Sequence, residues 1–346
     1  MSGLRILGQA YGRVMELRSR AYAAGLFASW RPSVPCISVG NISWGGSGKT
    51  PLAEWILRLI ISWNKRPALL TRGYKARPPH KPYLVRPDSP VQEAGDEPLM
   101  LARSCPGSLV VVDERRSRAG SWLEGRKQPD AFVLDDGLQH LSVQRDLDLV
   151  LLRPEDLRGE WNRIIPEGSW REPASALNRG TAFVLHAEPG DMAAMKAAAE
   201  ERLSPFGRPI FTYRLEIEAC YRLRPPRIPL QGSKDYLLVS GVGSPRRLER
   251  SVSAFMGRNP QGHLAYPDHY RYEAEDWKRI KRAAARCGCP LILCTQKDGV
   301  KLEPWADESL YEAKASPAFG PPLHGRERLD EWLGSRLASL LHERSG

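Results

Sequence analysis

Short runs of uninterrupted apolar residues recur along the chain: CISV at 36–39, PALL at 67–70, LVVV at 109–112, AFVL at 131–134, LDLVLL at 147–152 and AFVL at 182–185. Runs this short, without polar alternation, predict strands buried on both faces. The helical patterns between them predict an α/β fold whose mostly parallel sheet is flanked by helices. Leu52, Trp55, Ile56, Leu59, Ile60 and Trp63 repeat at helical spacing after the first run, and Pro51 suits the first turn of that helix. Further on, YLLVSGVGSP and PLILCTQKD read as strands ending in polar loops, with helical patterns around 245–257, 273–286 and 328–343. Between these two textures YRLRPPRIPLQGSKD is rich in Pro and Arg and lacks periodicity, which marks a domain boundary. The expected organisation is an N-terminal segment at 1–30, an α/β core at 31–215 and a second, smaller α/β domain at 216–346.

In the first segment Leu4, Leu7, Tyr11, Val14 and Met15 share one helical face, with Arg5, Arg13 and Arg20 away from it and Arg18 inside the apolar stripe. Such a helix suits an anionic membrane surface, or it packs on the body of the protein. No apolar run nears the ~20 residues that cross a bilayer, and no signal peptide is evident. With 51 Lys and Arg against 40 Asp and Glu, the net charge of +11 calls for an acidic partner such as a nucleotide, nucleic acid, phospholipid or phosphorylated substrate. The six cysteines lack CxxC spacing, so neither a disulfide framework nor a zinc site is implied.

The chemistry concentrates where strands end. GNISWGGSGKTP at 40–51 is a phosphate-binding loop in which Ser43 stands where the pattern has its first glycine. Phosphate is gripped by backbone N–H groups at Gly45, Gly46, Ser47 and Gly48, with Lys49 neutralising the β and γ phosphates and the Thr50 hydroxyl offered to Mg²⁺. The strand AFVL runs into Asp135 and Asp136, carboxylates placed to hold that metal or to cap a helix. Asp96 in AGDEP reads as a helix cap, and His269 in YPDHYRY as a polar-loop histidine that is either structural or catalytic.

Taken together, GNISWGGSGKTP, TRGYKAR, GDEP, VLDDGLQH, RDLDLVLL, IIPEGSWREP, SGVGSP, YPDHYRY and TQKDGVKL occur in the order found in the tetraacyldisaccharide 4'-kinases. The chain resembles that family from residue 40 to about 302. The resemblance implies transfer of the γ-phosphate of ATP, with Mg²⁺, to the 4'-hydroxyl of a tetraacylated glucosamine disaccharide 1-phosphate, a step of lipid A biosynthesis. It implies peripheral attachment to the cytoplasmic face of the bacterial inner membrane, with the lipid substrate as partner and neither nucleic acid nor an obligate protein partner.

It also implies that Asp96 is the general base and His269 its partner. Because the two lie in different expected domains, the site would be complete only when those domains approach each other. Arg72 and Arg171 are candidates to bind substrate phosphate or steady transferred charge, or else to pair with acids. Gln139 and His140 are expected to tune the Mg²⁺ and acceptor region, and Lys297 and Asp298 to shape the nucleotide side of the cleft. The chain departs from the family pattern at Gln296 and Tyr270, and Trp44 is unusual inside the loop. Two other readings share these motifs: a phosphate-loop GTPase switch or metallochaperone, since TQKD echoes a guanine-reading motif, and a basic nucleic-acid-binding ATPase.

Overall fold

Every apolar run named above forms a strand. The computed structural model describes residues 3–46, 48–187, 189–232 and 234–344. Its strands are β1 (Cys36–Asn41), β2 (Pro67–Thr71), β3 (Tyr83–Val85), β4 (Leu109–Val112), β5 (Ala131–Asp135), β6 (Leu147–Leu152), β7 (Ala182–His186), β8 (Ile210–Arg222), β9 (Tyr236–Ser240), β10 (Gly262–Ala265), β11 (Leu291–Thr295) and β12 (Leu310–Phe319). They join one sheet in the order β10-β9-β11-β12-β8-β7-β6-β1-β5-β2-β4-β3. Pairing is parallel except at β12–β8 and β3–β4.

β1 lies between β5 and β6. The chain builds outward on one side of it through β5, then returns to build the other side from β6, so the carboxyl end of β1 is a topological switch point, where α/β proteins bind ligands. The helix that follows, Lys49–Ser62, turns Leu52, Ala53, Ile56, Leu57 and Ile60 onto the sheet at zero exposure. Each buried Leu or Ile contributes about 1.5–3 kcal/mol, so this face fixes the loop's position firmly.

The break expected after residue 215 falls inside β8, which runs unbroken through it. The first residues of β8, Ile210–Tyr213, pair with β7. Its last, Ala219–Arg222, pair with the start of β12, which in turn carries β11. Because β12 is antiparallel to β8, β11, β9 and β10 run opposite to β1, β5 and β6. The carboxyl ends of the two sets therefore face each other across the ribbon, and loops from both meet in one cleft.

The N-terminal segment is the helix α1 (Gly3–Ala23), which is attached by its smallest residues. Gly8 and Gly12 are buried, and a Cβ added at Gly8 would lie 2.8 Å from the Ile164 carbonyl oxygen. Leu4, Ile6, Leu7, Tyr11, Val14 and Leu17 remain exposed. Arg18, the residue that broke the apolar stripe, turns inward to the Gln139 carbonyl at 3.4 Å. All six cysteines are free, and only Cys287 is exposed. Among the described residues no helix is long and apolar enough to cross a membrane.

Candidate active site

The phosphate loop leaves β1 at Asn41 and enters its helix at Gly48, whose φ of 79° and lack of a side-chain cap leave the first-turn N–H groups for an anion. A Cβ at Gly48 would stand 2.2 Å from the Tyr213 hydroxyl, so only glycine fits there. Ser43 is not a defect in the motif: it is buried, and its hydroxyl donates to Asp156 Oδ2 at 3.0 Å, tying the loop to the turn after β6. Gly45 has φ 113° and faces the Arg153 guanidinium. Trp44 is largely exposed. Ser47 lies outside the described residues.

Lys49 Nζ donates to Asn41 Oδ1 at 2.9 Å and stands 3.5 Å from Asp136. Arg171 grips both Asp136 oxygens at 2.8 Å and donates to the Asn41 carbonyl at 2.7 Å. Gln139 donates to the same carbonyl at 3.1 Å. Asn41 Nδ2 and Gln139 Oε1 are buried with no partner among the described residues, a donor and an acceptor open beside these charges. His140 is half-buried, and burial with the Arg116 charge lowers its imidazole to about 3, so it is neutral. Arg72 is exposed, and among the described residues no hydrogen bond or ion pair holds its guanidinium.

Among the described residues Thr50 makes no hydrogen bond to Asp135 or Asp136. Its hydroxyl donates to Glu97 Oε2 at 3.0 Å, so the residue after Asp96 is the acidic partner of that threonine. Asp135 is buried, accepts from Thr71 at 3.2 Å, and is pushed up to about 6 by burial and by the charges of Glu97 and Asp136. Desolvation opposes ionisation of Asp136, but Arg171 and Lys49 hold it well below the usual carboxylate range. Among the described residues no group of three or more His, Cys, Asp or Glu side chains forms a metal cage. The site nevertheless fits a hard cation. The Glu97 charge lies close enough to raise Asp135, so carboxylate oxygens gather there, and Mg²⁺ ordinarily needs only one or two carboxylates beside substrate phosphates.

Asp96 opens the helix Asp96–Ser104, its Oδ1 accepting the Glu97 N–H at 3.0 Å. From the opposing loops, His269 presents Nδ1 at 3.1 and 3.0 Å from the two Asp96 oxygens. The histidine has φ 56°, an uncommon conformation for a non-glycine residue, stabilised by its N–H on Asp268 at 3.0 Å and by the Tyr74 ring at 4.7 Å. Burial alone would raise the Asp96 carboxyl, but the His269 hydrogen bond and the charges of Lys297 and Lys301 bring it down to about 2.

Two expectations are revised. Lys297 sits on the Asp96–His269 pair, contacting Glu97 at 2.8 Å, Asp268 at 2.9 Å and His269 Nε2 at 3.1 Å. Asp298 is fully buried and held within its own lobe, accepting from the Gly241 N–H at 2.9 Å, Thr295 at 2.7 Å and Tyr272 at 3.2 Å, with Lys301 at 2.9 Å. It is therefore unavailable to read a guanine, and the echo of a GTPase motif has a structural explanation.

The family described as tetraacyldisaccharide-1-P 4'-kinase matches residues 2–336. The chain belongs to that family. The tetraacyldisaccharide 4'-kinase of Nitratidesulfovibrio vulgaris is 42% identical over 340 residues, covering 98% of this chain and 94% of the relative. That of Oleidesulfovibrio alaskensis is 46% identical over 303 residues, covering 86% and 83%. The fold matches the crystal structure of LpxK from Aquifex aeolicus in complex with ATP, with TM-score 0.74, 27% identity and 97% of each chain covered. Within this family's motifs, sequence reasoning missed the contacts of Glu97 with Thr50 and Lys297 and of Lys301 with Asp96. Glu97 and Lys301 are polar residues one or a few positions from recognised ones, and only the meeting of the lobes brings them together.

Proposed function

We propose that this chain transfers the γ-phosphoryl group of ATP to the 4'-hydroxyl of a tetraacylated disaccharide 1-phosphate, with Asp96 as the general base. The observation that carries the reading is the placement of the Asp96–His269 pair one residue from Glu97, which holds the phosphate-loop threonine. Donor and acceptor machinery thus share one short segment. Asp96 accepts the acceptor proton as the new O–P bond forms, His269 orients the carboxylate, and Lys49 and Arg171 face the transferred charge. Thr50, Glu97 and Asp135 would hold Mg²⁺, which would supply positive charge against that developing on the transferred phosphoryl group. Labelled ATP and the lipid acceptor should yield a labelled, more anionic lipid. Label recovered only as inorganic phosphate would favour a nucleotide hydrolase instead.

The membrane-surface reading rests on α1. Its exposed apolar residues have no protein to cover them among the described residues, and Arg5 and Arg13 are exposed beside them. An arginine near an anionic surface contributes about 1 kcal/mol and each inserted leucine about 1.5–3 kcal/mol. Joint substitution Leu7→Asp and Leu17→Asp is therefore expected to weaken partition onto anionic vesicles by on the order of 10²-fold. Unchanged co-sedimentation would remove α1 as the contact.

Residues 31–215 and 216–346 are read as two units flexing about the β8–β12 ribbon, with the Asp96–His269 contact made in the closed arrangement. Spin labels on Cys287 and on a cysteine introduced at the exposed Arg126 should report a narrower, shorter distance distribution when a non-hydrolysable ATP analogue is added. The same distribution with and without nucleotide would contradict closure.

A further inference from the structure

We propose that Lys297 is a positioning residue of the transfer reaction: its ammonium donates to His269 Nε2 and so holds the imidazole in the form that carries its proton on Nδ1, aimed at Asp96. An ammonium has three N–H donors and no lone pair. At 3.1 Å from Lys297 Nζ, His269 Nε2 must therefore accept. The remaining nitrogen, Nδ1, faces an ionised carboxylate that can only accept, at 3.1 and 3.0 Å, and must donate. The chemistry at both ends of the ring selects the same tautomer.

The other two donors of Lys297 are placed to keep the ammonium there. One meets Glu97 Oε1 at 2.8 Å, the other Asp268 Oδ1 at 2.9 Å, and the side chain is only 13% exposed. Asp268 Oδ1 also takes the His269 N–H, so the same carboxylate anchors both the lysine and the unusual backbone of the histidine. Glu97 carries the connection onward to Thr50 at 3.0 Å. Lysine is suited to this place because its three donors diverge from one point, whereas a planar guanidinium would present them in a fork. Without the ammonium, Nε2 would be left with the Glu97 and Asp268 carboxylates at 3.9 Å, which favour a proton there, so the ring would no longer be held in the neutral form whose Nε2 accepts.

The inference rests on Asp96 acting as the base, and its test separates the two. Full-length protein carrying ¹⁵N-histidine, examined by long-range ¹H–¹⁵N correlation, should show His269 with Nδ1 protonated and Nε2 accepting; the signal is assigned by its loss in His269→Gln. In Lys297→Met that signature should be lost, with kcat falling on the order of 10²-fold while KM for ATP stays within about twofold, since wrong-tautomer imidazoles in other sites cost up to about 10⁴ in kcat. Lys297→Gln, which keeps an N–H donor, should restore the Nδ1–H signature and at least about tenfold of the lost kcat. A wild-type signal showing the proton on Nε2 would overturn the proposal without any variant. So would a Lys297→Met protein that keeps the wild-type signature, or one whose kcat stays within about twofold of the original. Failure of the base assignment would show differently, as an active Asp96→Asn enzyme with the tautomer intact.

Discussion

Replacing Asp96 with asparagine is expected to lower kcat by on the order of 10²-fold or more while leaving KM for ATP within about twofold. Asparagine keeps the size of the side chain and an oxygen for the Glu97 N–H, so the helix start survives. What it lacks is the capacity to take a proton. The direction of the Asp96 shift sharpens the expectation. A carboxyl held near 2 by His269, Lys297 and Lys301 is ionised throughout the neutral and mildly acidic range, so any loss of rate between pH 7 and 4 belongs to another group. The contribution of Asp96 to stability has the same sign: it is present above the ordinary aspartate value of about 3.9 and is lost as pH falls toward 2. Initial rates over pH, with melting curves to confirm folding, check both points. A fully active Asp96→Asn enzyme would contradict the base assignment even though the family membership stands.

The second large effect is at Lys49. Substitution by methionine is expected to lower kcat/KM for ATP by about 10²–10³, the scale lost when one preorganised charge-stabilising donor is removed from a transition state. Unlike the Asp96 variant, this one should also raise KM for ATP, because the ammonium serves the bound nucleotide as well as the transferring group. Folding should hold: Asp136 retains Arg171, which binds both its oxygens, and Asn41 retains the guanidinium at its carbonyl. ATP titrations of initial rate decide it, and unchanged kcat/KM would mean that the loop does not carry the donor.

How far the sequence foretold this arrangement follows from the range of the interactions involved. The first-lobe strands were legible because double-sided burial leaves an unmistakable apolar run, as in LVVV at 109–112 and LDLVLL at 147–152, and helix Lys49–Ser62 because its apolar face repeats at helical spacing. β8 was obscured. Its outer half mixes Glu216, Glu218 and Arg222 with Ile217 and Cys220, since a ribbon between lobes is half exposed, and it runs directly into the proline-rich stretch that suggested a boundary.

At the site, residues fixed by local chain geometry, such as Gly48, Lys49 and Thr50, were readable from the motif. The pairing of Asp96 with His269 came through the family resemblance, because nothing local to GDEP or YPDHY points across 173 positions. Lys297 was expected only to shape the nucleotide side of the cleft, and its contacts with Asp268 and His269 were illegible for the same reason. Its partners Glu97 and His269 become neighbours only once β12 reverses the second set of strands.

The measurement that tests the central claim most directly is incubation of the wild-type and Asp96→Asn proteins with γ-labelled ATP and the disaccharide 1-phosphate, followed by separation of the lipids and mass analysis of the sugar that gains phosphate. The account predicts a labelled bisphosphate carrying its new group at the 4' position, formed rapidly by the wild type and on the order of 10²-fold more slowly by the variant. Label appearing only as inorganic phosphate, or at equal rates from both proteins, would contradict it.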